Sequence, residues 1–211
     1  QLRLDRKGPR QRHPAGQAER EFAGKMRAMC GQFQRGKQRC QLRIVDVGRH
    51  KTHILVHGAP RQQARLLACD HYHVIFTLPH DLNPLWLANV PVMTTLLFQA
   101  VRDTLSTLLA APQYLGAQPG ILMALHTWSQ TLVLHPHLHC LVTGGGRTPA
   151  GTWVAVRHGF LLPMRVVMAV FRGKMVDAIR QSFARGALVL PEPIRPQQFI
   201  NLLNRLGHPT K

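Results

Sequence analysis

The sequence has few acidic residues. Its 211 residues include 9 Asp and Glu against 27 Lys and Arg, which gives a formal net charge of +18. An enzyme that acts on small neutral molecules seldom has such a balance, whereas a protein that binds a polyanion often does. We therefore expect nucleic acid as the partner, ahead of a membrane surface. The length is sufficient for one full domain with an added segment.

Long apolar runs and closely spaced cysteines are also lacking. No apolar run reaches the roughly 18 residues of a membrane-spanning helix. The 4 cysteines include no CxxC pair, and Cys30 and Cys40 have no spaced partners, so neither a disulfide scaffold nor a zinc site is expected. There is no recognisable export signal. These features predict a cytoplasmic, nucleoid-associated protein without a membrane anchor.

Charge divides the chain into an N-terminal basic segment and a more apolar remainder. Residues 1–65 carry most of the basic residues, and Phe22 and Phe33 are their only aromatic residues. Such a composition buries too little apolar surface to offset the entropy of ordering the chain. We expect a poorly ordered basic arm, with a short strand at either 41–46 or 52–57.

From residue 66 onward, apolar periodicity predicts an α+β fold. Alternating or β-branched runs indicate strands, and apolar residues three or four apart indicate helices. A helix is expected with Asn83 as its N-cap and Pro84 as its first residue, and Pro91 offers a second start. Other helices follow Pro163 and Pro196. The order implies a mostly antiparallel sheet with helices packed on one face. Strands are predicted at 73–79, 120–127, 131–143 (ended by Gly144) and 152–156.

The third predicted strand contains His135, His137 and His139. Because side chains alternate between the faces of a strand, the even-numbered residues from Leu132 to Val142 form an apolar face that suits packing under helices. The three histidines then share the other face. Two imidazoles on one face can bind one ion together, although solvated surface histidines would give the same spacing. Pro136 predicts an edge position or a bulge.

Three segments resemble the HUH-type (Y2) rolling-circle transposases of the insertion sequence 91 family. They are FTLPHDLNPL (76–85), LHTWSQTLVLHPHLHCLVTGGG (125–146) and GFLLPMRVVMAVFRGKM (159–175). The resemblance implies an HUH/Rep-like fold in which His137 and His139 bind a divalent ion, Mg²⁺ or Mn²⁺. That ion positions a phosphate of single-stranded or transposon-end DNA, and a downstream tyrosine attacks it.

The family's third metal ligand is expected to be His126. If Ser129 and Gln130 formed a two-residue hairpin turn, His126 would share the histidine face but lie about 13 Å from His137. A longer loop would bring it opposite His137. His135 and Gln130 are the alternatives.

The chain departs from the family pattern at both ends. Its tyrosines, Tyr72 and Tyr114, both precede the histidine strand, whereas the family nucleophile follows it. We therefore expect a fragment truncated before the catalytic tyrosine, with no catalytic residue of its own. Residues 66–190 are predicted as the transposase-like domain and 191–211 as the helical start of a C-terminal part. Residues 1–65 would be a degenerate remnant of the family's zinc module.

Basic residues on the second long helix are candidate DNA contacts, although an ordinary solvated face would have the same composition. Trp128 and Trp153 are able to stack on bases of single-stranded DNA, but burial in the core is the commoner use of tryptophan. The candidate phosphate contacts are Arg165, Arg172, Lys174 and Arg180.

Two other functions fit parts of the sequence. HPHLHCL also matches the pattern of histidine-triad nucleotide hydrolases and transferases, in which His137 would attack a nucleotide phosphate without a metal ion. A non-catalytic DNA-binding remnant of a transposase is the second alternative.

Overall fold

The computed structural model describes residues 43–50 (as backbone), 67, 69–129 and 131–208. Its helices and strands belong to one compact unit, formed by Lys37–Thr52 and Ala68–Lys211. A 3-10 turn, His80–Leu82, precedes the first helix. The strands are β1 (Arg43–His50), β2 (His71–Thr77), β3 (Gln118–Trp128), β4 (Leu134–Arg147) and β5 (Trp153–Ala155); the helices are α1 (Asn83–Ala88), α2 (Val90–Ala110), α3 (Met164–Ala184) and α4 (Pro196–Gly207).

The predicted antiparallel sheet is confirmed, with β1 added at one edge. The strand order is β1-β2-β4-β3, and β5 pairs with the far end of β4. β1 overlaps the first of the two strands that were considered possible in the basic segment. The rest of that segment lies outside the described residues.

Helices cover one face of the sheet, as the alternation in β4 predicts. Leu138, Cys140 and Val142 are completely buried in the same core as α2 and α3. Phe76 of β2 meets Phe171 of α3 edge to face, with ring centroids 4.9 Å apart. The sheet therefore separates α3 from the odd-numbered residues of β4. The α+β class is confirmed.

β4 continues through the glycines that were expected to end it. Gly144, Gly145 and Gly146 lie within the strand, and Gly145 and Gly146 pair with β5. A Cβ atom on Gly145 would lie 2.6 Å from Cζ2 of Trp153, and one on Gly146 would lie 2.5 Å from the backbone oxygen of Gln118. The glycines thus permit close approach of neighbouring chains rather than a turn.

Two local predictions were wrong. Leu132 does not belong to the apolar face of β4. It lies in the turn before that strand, with φ 59°, and it is 81% exposed. Asn83 is the first residue of α1 rather than its cap. Its side chain instead donates a hydrogen bond to the carbonyl oxygen of Leu134, 2.9 Å away, and so ties α1 to the start of β4.

None of the described helices combines the length and the apolar character that crossing a membrane would require.

Candidate metal centre

The centre of the β3–β4 hairpin carries three histidines. His126 of β3 lies directly opposite His137 of β4, and Ala124 lies opposite His139. Directly paired residues of an antiparallel sheet point to the same side. His126, His137 and His139 therefore share one side of the sheet, opposite the helices; we call this side the histidine face.

A bulge places His126 on that face. Trp128 pairs with Leu134 and His126 with His137, so two residues, His135 and Pro136, lie opposite one residue of β3. This confirms the bulge that Pro136 predicted. Without the extra residue, His126 would pair with Pro136 and point toward the helices.

Of the two loop lengths considered between β3 and β4, the structure has the longer one. The backbone nitrogen of Ser129 donates to the carbonyl oxygen of Val133 over 2.8 Å, so the connection is longer. The longer loop removes the separation of about 13 Å that the tight turn implied. Gln130, one alternative ligand, lies outside the described residues.

The three imidazoles lie close enough to bind one ion. Three ring nitrogens, one from each residue, all lie within 4.8 Å of one another. The ring centroids are 5.4 Å apart for His126 and His137, 4.4 Å for His126 and His139, and 4.9 Å for His137 and His139. We call these residues the histidine cluster.

Hydrogen bonds leave Nε2 of two cluster histidines available. Nδ1 of His137 lies 2.6 Å from the carbonyl oxygen of His135, which can only accept, so Nδ1 carries the proton. Nδ1 of His139 lies 2.9 Å from Nε2 of His73. If Nδ1 of His139 donates in that bond, Nε2 keeps its lone pair in both residues, which is the tautomer a metal ion needs.

Burial keeps these rings neutral. Desolvation is the main cause that lowers the pKa of His137, despite the opposing hydrogen bond to His135. Desolvation, with the neighbouring histidines, lowers the pKa of His139 to about 3. A neutral imidazole is the form that binds metal ions, so His137 and His139 do not have to lose protons before they bind one at neutral pH.

His135 lies next to the cluster but not within it. Its ring centroid is 5.1 Å from that of His80 and 5.2 Å from that of His137. Burial, followed by the proximity of His137 and His80, lowers the pKa of His135 to about 4. The structure therefore brings His126, rather than the fallback His135, together with His137 and His139.

The donor set fits a divalent transition-metal ion. Three neutral nitrogen donors make an incomplete coordination shell, which leaves positions for water or a substrate oxygen, as catalytic sites require. Imidazole donors suit transition metals, whereas Mg²⁺ prefers carboxylate and water oxygens. Among the described residues, the cysteines form no metal site: Cys140 is buried in the core, where burial raises its pKa to about 12. Cys30 and Cys40 lie outside the described residues.

The predicted DNA contacts do not adjoin the cluster. Arg165 and Arg180 are exposed on α3, and Arg172 and Lys174 are partly buried. Arg180 donates a hydrogen bond to Oδ1 of Asn204 over 2.7 Å. Because α3 covers the opposite face, the sheet separates these residues from the histidines.

Neither tyrosine reaches the cluster. Tyr72 is 99% buried and belongs to the same core cluster as Phe76, so the sheet separates its ring from the histidine face. Tyr114 lies in the turn before β3, and the eight residue steps of β3 from Gln118 to His126 span about 27 Å.

His73 was missed in the sequence, although a signal existed. His71 and His73 alternate in β2 as His137 and His139 do in β4. Only the pairing of β2 with β4 brings His73 to His139, and residue spacing within one strand cannot reveal that pairing.

The histidine cluster falls within a segment that matches a known protein family. Residues 120–209, which include all three cluster histidines, match a family model of Y2 type described as "Putative transposase". The chain is 39% identical over 151 residues to "Putative transposase y4qJ" of Sinorhizobium fredii, covering 71% of this chain and 38% of that protein. It is also 39% identical over 92 residues to the transposase for insertion sequence element IS801 of Pseudomonas savastanoi pv. phaseolicola.

This chain belongs to the Y2 transposase family. It spans 38% of the first relative and 22% of the second. Among solved structures, it is similar to the conjugative relaxase TrwC complexed with a 27-mer DNA, with 16% identity, a TM-score of 0.45 and coverage of 74% of this chain and 61% of that one. A metal-free complex of the same relaxase gives a TM-score of 0.46, with 16% identity and coverage of 67% and 57%.

Proposed function

We propose that this Y2-family chain binds a divalent metal ion at His126, His137 and His139 and uses it to hold a phosphate of single-stranded DNA during transposition. The observation that supports this most directly is the approach of the three ligand nitrogens to within 4.8 Å of one another. A DNA partner also implies action in the bacterial cytoplasm, at the nucleoid.

Each cluster residue has a defined task in this proposal. His137 and His139 present Nε2 because their Nδ1 atoms are engaged by His135 and His73. His126 completes the set from the neighbouring strand. A bound divalent ion would supply Lewis acidity, withdrawing electrons from a phosphate oxygen and fixing its position. His73 is a positioning residue, since it holds the ring of His139 through a hydrogen bond and is not one of the three clustered histidines.

The ion is Mn²⁺ in preference to Mg²⁺. Both are expected from the family resemblance, but the described cluster contains no carboxylate. Mg²⁺ depends on carboxylate and water oxygens and loses its water reluctantly. Mn²⁺ also suits oxygen ligands, but as a first-row transition-metal ion it belongs, at the weak end, to the series that binds nitrogen sites.

Charge around the site favours DNA as the substrate. The sequence has no acidic residue between Asp103 and Asp177, a range that includes the whole β3–β4 hairpin and β5. A phosphate that approaches the cluster therefore meets no carboxylate from this part of the chain. The net charge of +18 adds a long-range attraction that salt will weaken.

Strand cleavage needs a nucleophile besides the cluster. The burial of Tyr72 and the distance of Tyr114 exclude both from in-line attack at a phosphate held there. We expect the 211-residue chain to bind single-stranded DNA in the presence of Mn²⁺ without forming a covalent adduct. A phosphotyrosine adduct at either residue, detected by mass spectrometry, would contradict this assignment.

The decisive experiment is a calorimetric Mn²⁺ titration of the full chain and its single His→Ala variants. H126A, H137A and H139A should each lower Mn²⁺ affinity by about 100-fold or more, because each removes a ligand. H208A, which changes a histidine at the end of α4, is the matched control and should bind Mn²⁺ normally. Wild-type chain that fails to bind Mn²⁺, or cluster variants that bind it as well as H208A, would disprove the proposal.

The histidine-triad alternative predicts a different intermediate. There, His137 would form a phosphohistidine with a nucleotide in the presence of EDTA. The family assignment of residues 120–209 argues against it. We expect no such phosphohistidine.

A further inference from the structure

Trp128 occupies an unusual position for a tryptophan. It is the last residue of β3, and 59% of its surface is exposed. The core placement considered for it in the sequence is therefore wrong. Its ring is nearly parallel to that of His126, with an interplanar angle of 8° and a centroid distance of 6.3 Å. A large flat apolar surface thus lies beside a residue of the histidine cluster.

The adjoining turn exposes two further apolar side chains. Leu132 and Val133 are 81% and 52% exposed, at the same end of the hairpin. Two backbone hydrogen bonds close the turn: Ser129 donates to Val133, and Leu132 donates to Ser129. Grouped exposed apolar side chains of this kind mark binding surfaces more often than isolated ones do.

Chemistry indicates which ligand fits this end of the hairpin. The planar apolar ring of Trp128 favours another planar ring. The absence of acidic residues between Asp103 and Asp177 favours an anion. A nucleotide of single-stranded DNA supplies both, because its base has a free face and its phosphate is charged. In a duplex the faces of the bases are already stacked on each other.

We propose that Trp128 is a stacking platform for one nucleobase of single-stranded DNA, next to the phosphate held at the histidine cluster. This inference rests on the proposed function and adds a base-binding subsite to it. His126 links the two parts, because it contributes a cluster nitrogen and also faces the indole of Trp128.

Trp153 provides a matched control within the same chain. It is also partly exposed, but its ring lies against the backbone of Gly145, where a Cβ atom would be 2.6 Å from Cζ2. It is thus packed on the sheet at the other end of β4. W153F should leave base stacking at Trp128 unaffected.

The test measures binding of a fluorescent oligothymidine to the full chain with Mn²⁺. W128A should weaken binding by about 10-fold, since stacking of one base on an aromatic ring commonly contributes 5-fold to 100-fold in affinity. W128F, which keeps a ring, should stay within about 3-fold of wild type, as should W153F. Equal binding by W128A and wild type would overturn the proposal.

An oligonucleotide of equal length with abasic sites separates stacking from a structural role. The wild-type chain should prefer the oligothymidine over the abasic strand, and W128A should lose most of that preference. If W128A weakened binding of both strands equally, the residue would act through the structure of the hairpin and the proposal would fail.

Mn²⁺ titration distinguishes this failure from failure of the proposed function. W128A should retain wild-type Mn²⁺ affinity, because it removes no ligand. Loss of Mn²⁺ binding in W128A would show that Trp128 acts by holding His126, which would also overturn the stacking role. Absence of Mn²⁺ binding in the wild-type chain would instead count against the histidine cluster itself.

Discussion

The two faces of β4 are specified by different information: one by the sequence of a single strand, the other by the alignment of several strands. Leu138, Cys140 and Val142 form an apolar row that packs under the helices, and alternation within one strand accounts for it. His137 and His139 lie on the other face, and their site also needs His126 from another strand. The packed face thus depends on local pattern, whereas the histidine face depends on register. The predictions below separate the two faces, from the largest expected effect to the smallest.

Truncation on the packed face should damage the fold most. Leu138→Ala should lower the free energy of unfolding by about 2–5 kcal/mol, because it leaves a cavity in a fully buried site. His139→Ala should cost about 1 kcal/mol, the typical contribution of one hydrogen bond. Urea denaturation of the metal-free chain measures both. Equal losses would mean that the histidine face is also part of the stabilising core.

Acid should destabilise the protein through the histidine face. Because the pKa values of His135 and His139 are lowered to about 4 and about 3, the unfolded chain binds protons more readily than the folded chain. The two buried neutral rings make their full contribution to the free energy of unfolding above pH 6.5, the ordinary histidine pKa. That contribution is lost as the pH falls toward 4, for His135, and then toward 3, for His139.

Unfolding of the metal-free chain between pH 7.5 and pH 4.5 tests this direction. His139→Asn should flatten the decline, since Asn does not titrate. Leu138→Ala should lower stability by a similar amount at each pH. A decline of unchanged steepness in His139→Asn would show that other groups cause the acid sensitivity.

The hydrogen bond from His73 should affect metal binding moderately. His73→Ala should weaken Mn²⁺ binding by about 10-fold, as is usual when a partner of a ligand is removed. His73→Gln keeps an acceptor near Nδ1 of His139 and should restore most of the affinity. The ¹⁵N shifts of His139 should report a mixed tautomer in His73→Ala only. An unchanged tautomer with reduced affinity would argue against the positioning role.

Charge removal on α3 should have the smallest effect. Arg165, Arg172, Lys174 and Arg180 stay predicted phosphate contacts, but they lie on the helix-covered side. Each Ala variant should reduce the slope of log affinity against log salt by at most about 1 and leave the Mn²⁺ dependence of binding unchanged. A variant that removes Mn²⁺-dependent binding would require the DNA to reach both sides of the sheet.

Sequence reasoning succeeded where the information is local. Alternation in β4 identified the faces of Leu138 and His137, and Pro136 predicted the bulge. It was insufficient where two segments must be aligned: the length of the turn at Ser129 stayed open, and His73 was missed. The glycines from Gly144 to Gly146 were predicted to end the strand, but they continue it. Gly145 and Gly146 leave space for Trp153 and Gln118, and the residue type alone does not reveal those neighbours.

The bulge at Pro136 also restricts how this hairpin is able to evolve. Adding or removing one residue between His126 and His137 turns the third imidazole toward the helices, unless a bulge is lost or gained at the same time. Adding or removing two residues preserves its side. Among homologous chains that keep all three histidines, we therefore expect insertions and deletions in this segment to come in even numbers or to accompany a change at the proline.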